Sequence, residues 1–257
     1  MTGAKIVILA SPGISNAIIF NHLSPRFEIA RVITERRFSR LTVFARRRKR
    51  QGLLSALGQA AFRIAITPLL EVTSRKRMRE IAAEHCLNSA VIAPELVTPV
   101  DSANSAQTIS LLRDLQPAVV IVNGTRILSR EVLQCVPAKF VNLHAGITPR
   151  YRGVHGAYWA LVEGRGDLCG VTLHLLDEGI DTGPVLAQRM IQLSHADSFA
   201  TYPMLQLAAS LPLLDSVLPA LLEGRQPTPL ASAEPSKLWT HPTAFEYVRN
   251  RVARGVK

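Results

Sequence analysis

Cysteine is scarce: the 257 residues hold three, Cys86, Cys135 and Cys169, with no C-x-x-C spacing among them. That excludes a disulfide-stapled scaffold and the common thiol-redox and zinc-ribbon patterns. Two of the three sit in apolar surroundings, where a thiol is a small core residue rather than a nucleophile. The G-x-G-x-x-G fingerprint is absent after the first apolar run, which removes a dinucleotide-binding reading. No spacing among the seven histidines, the cysteines and the carboxylates makes a metal site. Acidic residues are also few, 19 against 30 Lys and Arg, for a net charge of +11. Such a balance suits a phosphorylated small molecule, a nucleic acid or an anionic surface. The opening MTGAKIVILAS lacks the layout of a secretory signal, and with unpaired cysteines this leads us to expect a reducing cytoplasm.

What the chain does have is an alternation of strand-like and helix-like segments. KIVILA (5–10), FEIARVITE (27–35), SAVIAP (89–94), AVVIV (118–122) and KFVNLH (139–144) read as strands, several of them apolar throughout, as strands covered on both faces are. Helix-like stretches at 75–86 and 104–115 separate them, and GVTLHLLDEGID (170–181) and VLAQRMIQL (185–193) add two more strands. Hydrophobic residues make up 47% of the chain, enough for one sizeable core. The expectation is an α/β fold with a mostly parallel sheet and helices on both faces, joined by right-handed crossovers. The turn SPGISN (11–16) could bind an anion at a helix start, or Ser15 and Asn16 could simply cap that helix.

Two segments carry chemistry: NLHAGITPRYRG (142–153) and DEGIDTGP (177–184). Asn142 and His144 alternate on a strand, so both side chains point to one side at its carboxyl end, the edge where open α/β sheets bind ligands. An amide that donates, an imidazole that exchanges protons near neutral pH and the carboxylate of Asp181 to orient it suit acyl transfer.

The same segments, with VNGTRILSREVL (122–133), resemble the signature of the folate-dependent formyltransferases over roughly Gln116 to Gln192. The resemblance implies a Rossmann-like fold, 10-formyltetrahydrofolate as formyl donor and a primary amine as acceptor. It also implies Asn142, His144 and Asp181 as catalytic residues, with the backbone of Arg126, Ile127 and Leu128 and of the loop Asp177, Glu178, Gly179, Ile180 holding the pteridine. The chain departs from the family pattern after the histidine, where Gly146, Thr148 and Pro149 stand in place of a serine and a following Leu-Pro pair. Tyr151, Arg152, His155 and Trp159 follow the catalytic strand and are expected to line the acceptor cavity, although Arg152 could instead anchor the loop. His174 lies within an alternating strand and could face the site or the opposite side; a structural hydrogen-bonding role is favoured.

Residues 36–50 hold eight cations, Arg36, Arg37, Arg40, Arg46, Arg47, Arg48, Lys49 and Arg50, feeding an apolar run at 52–70. Gln59, Arg63 and Pro68 interrupt that run, so it reads as a poor membrane span. The insertion 36–72 could pack its apolar side on the domain, touch anionic lipid headgroups or contact nucleic acid; Phe38 and Phe44 alone give little base stacking. Residues 1–195 are expected to form the catalytic domain and 196–257 a helical and extended appendage, with the helical run 199–224 broken by Pro203, Pro212 and Pro219. Some sixty residues are too few for the β-barrel that the tRNA-acting branch carries. Trp239 and His241 either reach the acceptor pocket or fasten the tail to the core.

An amino sugar on a nucleotide carrier is therefore the first choice of acceptor, with glycinamide ribonucleotide, initiator methionyl-tRNA or water as alternatives. From a different class, the chain could be a basic membrane- or RNA-binding module on a formyltransferase scaffold, which intact Asn142, His144 and Asp181 argue against.

Overall fold

The computed structural model describes residues 3–257. In chain order it contains β1 (Ile6–Ala10), α1 (Ile14–Leu23), β2 (Ile29–Glu35), α2 (Arg40–Gln51), α3 (Leu53–Ala61), a π-helical turn (Phe62–Ile66), α4 (Thr67–Thr73) and α5 (Arg75–Glu84). Then come β3 (Val97–Val100), α6 (Ala106–Leu115), β4 (Val119–Asn123), α7 (Arg130–Leu133), β5 (Lys139–His144), β6 (Arg152–Gly153), α8 (Gly156–Val162), β7 (Gly170–Leu175), β8 (Val185–Met190), α9 (Tyr202–Leu222), β9 (Leu238–Trp239) and α10 (Ala244–Arg254).

Seven strands form one sheet in the order β3-β2-β1-β4-β5-β7-β8. The pairs from β3 to β5 are parallel; β7 runs antiparallel to both β5 and β8, so it alone opposes the rest. The order reverses between β1 and β4, the crevice where such sheets take ligands. Every residue of β1 is shielded because helices cover both faces. Ile6 and Ile8 pack with α1, α5 and α9 on one side, and Val7 and Leu9 with α6 and α7 on the other.

Three sequence expectations need correction. SAVIAP is not a strand: Val91 is 91% exposed, and the edge strand is the less apolar VTPV of β3. Pro99 is tolerated there because one side of an edge strand needs no ladder donor. Ser15 and Asn16 do not cap α1, whose N-cap is Gly13 and which has no side-chain cap. Instead Asn16 Nδ2 donates to Ser11 O, and Asn123 Nδ2 donates to Ser15 Oγ at 2.9 Å and to Asn16 Oδ1 at 2.8 Å, locking α1 to the end of β4. The prolines do not break α9, which is continuous through Pro212 and Pro219. Each internal proline costs about 3 kcal/mol. Burial of Leu205, Leu211, Leu214, Leu218 and Leu221 returns about 1.5–3 kcal/mol apiece and outweighs them.

A third cluster, largely aromatic, joins Phe62, Tyr158, Phe199, Tyr202 and Tyr247. It ties the basic insertion and α10 to α8. A capping box at Thr243 and Glu246 starts α10.

Candidate active site

Strand β5 delivers Asn142 and His144 to the carboxyl edge of the sheet, and its antiparallel pairing with β7 sets His174 directly opposite Asn142. The loop after β7 returns Asp181 to the same point. Asp181 holds a left-handed backbone with φ of 51°, a conformation that aspartate tolerates better than most residues and that favours functional positions.

The four side chains form a closed network. Asp181 Oδ2 accepts from Gly153 N–H at 2.8 Å and lies 3.3 Å from His144 Nδ1. Asn142 Nδ2 donates to Asp181 Oδ1 at 3.3 Å and contacts His174 Nε2 at 3.0 Å, while His174 Nδ1 donates to Leu175 O at 2.8 Å. His144 Nε2 donates to Tyr151 O at 2.7 Å. Of the two sides open to it, His174 faces the site, where it hydrogen-bonds within the cluster.

Burial lowers the pKa of His144, against the pull of Asp181 and Tyr151 O, so the ring rests neutral at neutral pH. Burial works against the Asp181 carboxylate too, but the neighbouring His174 and His144 rings and the Gly153 N–H together hold it below the ordinary carboxylate range. The pair is a neutral imidazole backed by an anion. Such a ring can take up a proton and keep its counter-charge.

Gly146 explains the departure after the histidine. A Cβ there would collide with the carbonyl oxygen of Tyr151 and come within 2.8 Å of His144 Nε2. Glycine lets the Tyr151 carbonyl reach the imidazole; a serine would not fit this arrangement.

Asn142, His144 and Asp181 open onto a cavity of about 730 Å³. Arg126, Ile127 and Leu128 form one wall and Asp177, Gly179 and Ile180 another. Arg126 is held by buried Glu35, which accepts from its backbone N–H at 2.6 Å and pairs with its guanidinium. Glu178 turns away and pairs with Arg130 at 2.6 Å. Asp177 fastens the loop by accepting from Gly179 N–H at 3.0 Å and Thr182 Oγ1 at 2.8 Å.

Of the four residues expected at the acceptor side, His155 lines the cavity. Arg152 donates to Ile180 O at 3.2 Å and so anchors the loop that carries Asp181. Tyr151 and Trp159 do not line the cavity. Tyr151 is fully buried, with its hydroxyl on Glu163 at 3.1 Å, and Trp159 stacks on Trp239 at 4.7 Å and donates to Thr240 O at 2.9 Å. The turn into α8 points both rings to the aromatic cluster.

Other elements close the cavity unexpectedly. Arg46, Arg47 and Arg50 of α2, Gln59 of α3, and Trp239 and His241 of the tail all line it. Trp239 and His241 therefore do both jobs foreseen for them, reaching the cavity and fastening the tail. His155 Nε2 and His241 Nδ1 meet at 2.8 Å. Burial, then the charge of Arg47, pushes His155 down to about 4; burial, then His155, pushes His241 down to about 2. The sequence signal for these partners is weak, because all of them lie far from the motif in sequence and none belongs to it.

An α/β fold with an amide, an imidazole and a carboxylate gathered at the carboxyl edge of its sheet is the class of protein defined here. The family described as Formyl transferase matches residues 43–205, and the chain belongs to that family. Methionyl-tRNA formyltransferase of Thermodesulfovibrio yellowstonii is 40% identical over 95 residues, 36% of this chain and 30% of that protein. The Pelotomaculum thermopropionicum enzyme is 28% identical over 176 residues, covering 68% of this chain and 54% of that protein. The chain thus spans about a third to a half of the length of the curated relatives it matches. Among solved structures, a sugar N-formyltransferase from a Shewanella species shares the fold with a TM-score of 0.56 at 17% identity, covering 92% of this chain and 76% of that one. Phosphoribosylglycinamide formyltransferase from Streptococcus pneumoniae does so with 0.54 at 22%, covering 85% and 98%.

Proposed function

We propose that this chain transfers a formyl group from 10-formyltetrahydrofolate to the primary amine of a nucleotide-linked amino sugar. The observation that carries the reading is the convergence of Asn142, His144 and Asp181, with contacts of 3.3 Å to the carboxylate, on one wall of the cavity. The cavity has room for a donor head and an amine together, and Gln59 Oε1 is buried without a partner beside it. Family membership supports the donor; the amino-sugar acceptor rests on the cationic cavity wall.

The formyl donor supplies an activated carbonyl carbon; the chain's residues manage charge and protons around it. In the resting site Asn142 Nδ2 and His144 Nε2 both donate to protein acceptors. The 3.3 Å contact of Asn142 with Asp181 is longer than a strong hydrogen bond, so that N–H turns most readily toward a developing oxyanion. A donor aimed at such an oxygen is typically worth about 3–4 kcal/mol of transition-state stabilisation. In the transfer the amine–formyl bond would form and the bond to the donor nitrogen would break. The amine proton would pass to Nδ1 of neutral His144, the ring nitrogen without a hydrogen, beside the Asp181 carboxylate that stabilises the imidazolium, and from there to the departing nitrogen. Asp181, held low, serves as counter-charge rather than as the principal base.

Formyl-donor turnover measured with amino-sugar nucleotides, glycinamide ribonucleotide, charged initiator tRNA and no acceptor tests this. One tetrahydrofolate should form per amide on an amino-sugar nucleotide. Efficient transfer to one of the other acceptors, with a broad set of amino-sugar nucleotides inert, would replace the proposed acceptor class.

A further inference from the structure

Helix α3, the π-helical turn and α4 make one continuous rod, Leu53–Thr73, despite Gln59, Arg63 and Pro68. Its 21 residues extend about 31 Å at 1.5 Å per residue. The inner side is fully engaged: Phe62 packs on Phe199 at 5.0 Å and on Tyr247 at 5.2 Å, and Gln59 Nε2 donates to His241 O at 2.9 Å. The outer side is bare. Leu54 is 87% exposed, Leu57 49%, Ile64 72%, Leu69 63% and Val72 54%, a contiguous apolar stripe along the helix. Isolated exposed leucines are ordinary, whereas a stripe of this extent marks an interaction surface.

The rod and α9 are equally long and apolar enough to cross a membrane by length and composition, but they are used differently. The apolar window of α9 is 56% buried and packs on the sheet; that of the rod is 22% buried. With its inner face tied to the aromatic cluster, the rod is placed to lie on a bilayer rather than to span one.

Charge selects the partner. Glu71 is the rod's one acidic residue, while Arg46, Arg47, Arg48, Lys49 and Arg50 precede it and Arg75 and Lys76 follow it. Between α2 and the rod lies a second cavity of about 240 Å³, where Arg40, Arg47 and Arg63 surround Val43, Phe44 and Ile64. The charge of Arg47 is disfavoured by burial and then by Arg63, and among the described residues no carboxylate pairs with it. A second copy of the chain on this face would bring two such cationic sets together, and a nucleic acid would leave the apolar stripe in water. A bilayer rich in anionic lipid satisfies both.

We infer that the outer face of the rod docks on anionic lipid bilayers, with the apolar stripe at the headgroup–acyl boundary and the Arg40–Arg63 cavity on a lipid phosphate. The full chain should sediment with vesicles of equal parts phosphatidylcholine and phosphatidylglycerol. Binding should fall at least about tenfold on phosphatidylcholine alone, and again with Leu54→Asp/Ile64→Asp/Leu69→Asp, whose positions are exposed. Arg40→Gln/Arg63→Gln removes the phosphate contacts without touching the stripe and should cost about tenfold on the mixed vesicles. Absent or lipid-independent sedimentation, or unchanged binding by both variants, overturns the inference. So does a dimer in lipid-free solution that the triple variant dissociates while vesicle binding is missing.

Discussion

Replacing Asp181 with Asn changes one oxygen to an amide nitrogen and leaves the shape and the left-handed backbone acceptable, since Asn and Asp both tolerate φ near the observed 51°. The carboxylate has four polar neighbours: Gly153 N–H at 2.8 Å, Asn142 and His144 at 3.3 Å, and His174 at 3.6 Å. If the new NH2 faces Gly153, a partly buried donor meets a donor. If it faces Asn142, that contact is lost instead. Either way about one buried hydrogen bond disappears, a destabilisation of roughly 1–3 kcal/mol. The protonated state of His144 loses its counter-charge, and since Asp181 is the first influence opposing burial there, turnover should drop by at least about a hundredfold. Urea unfolding and steady-state turnover on the same preparation separate the two effects. A folded Asp181→Asn protein with near-normal transfer would refute the assigned role.

Two further outcomes follow from the geometry. Gly146→Ala drives a Cβ against the Tyr151 carbonyl and within 2.8 Å of His144 Nε2, so turnover should fall at least about tenfold and stability by roughly 1–3 kcal/mol, both visible in one set of melts and rates. His155, held near 4 against an ordinary 6.5, takes up protons less readily folded than unfolded, so its contribution is intact above pH 6.5 and is lost as pH falls toward 4. The unfolding free energy from urea melts should decline on acidification through that window, by on the order of 3 kcal/mol more in the wild type than in His155→Asn, and a flat profile would contradict the buried neutral His155–His241 pair.

The central strands were legible because β1, β2 and β4 are runs of β-branched and aliphatic residues with no helical period. β3 was not, since an edge strand of four residues with Thr98 and Pro99 looks like a turn, and Val91 belongs to a more strand-like sequence that stays outside the sheet. Local propensity also mispredicted α9, where packing of leucines against β7 and β8 decides. In the site, Asn142 and His144 could be read together from strand alternation alone, whereas Asp181 joined them through the family motif. His174 needed the β5–β7 register, and the approach of α2 and the tail needed the tertiary fold. Tyr151 and Trp159 looked like ligand-binding residues by proximity in sequence, but an aromatic cluster claims them.

The most direct measurement of the central claim is conversion of 10-formyltetrahydrofolate to tetrahydrofolate with stoichiometric amide formation, compared between the wild-type chain and Asn142→Ala and His144→Ala. We expect turnover by the wild type and a loss of at least about a hundredfold in each folded variant. Equal donor conversion by all three proteins would contradict the assignment of formyl transfer to this cluster.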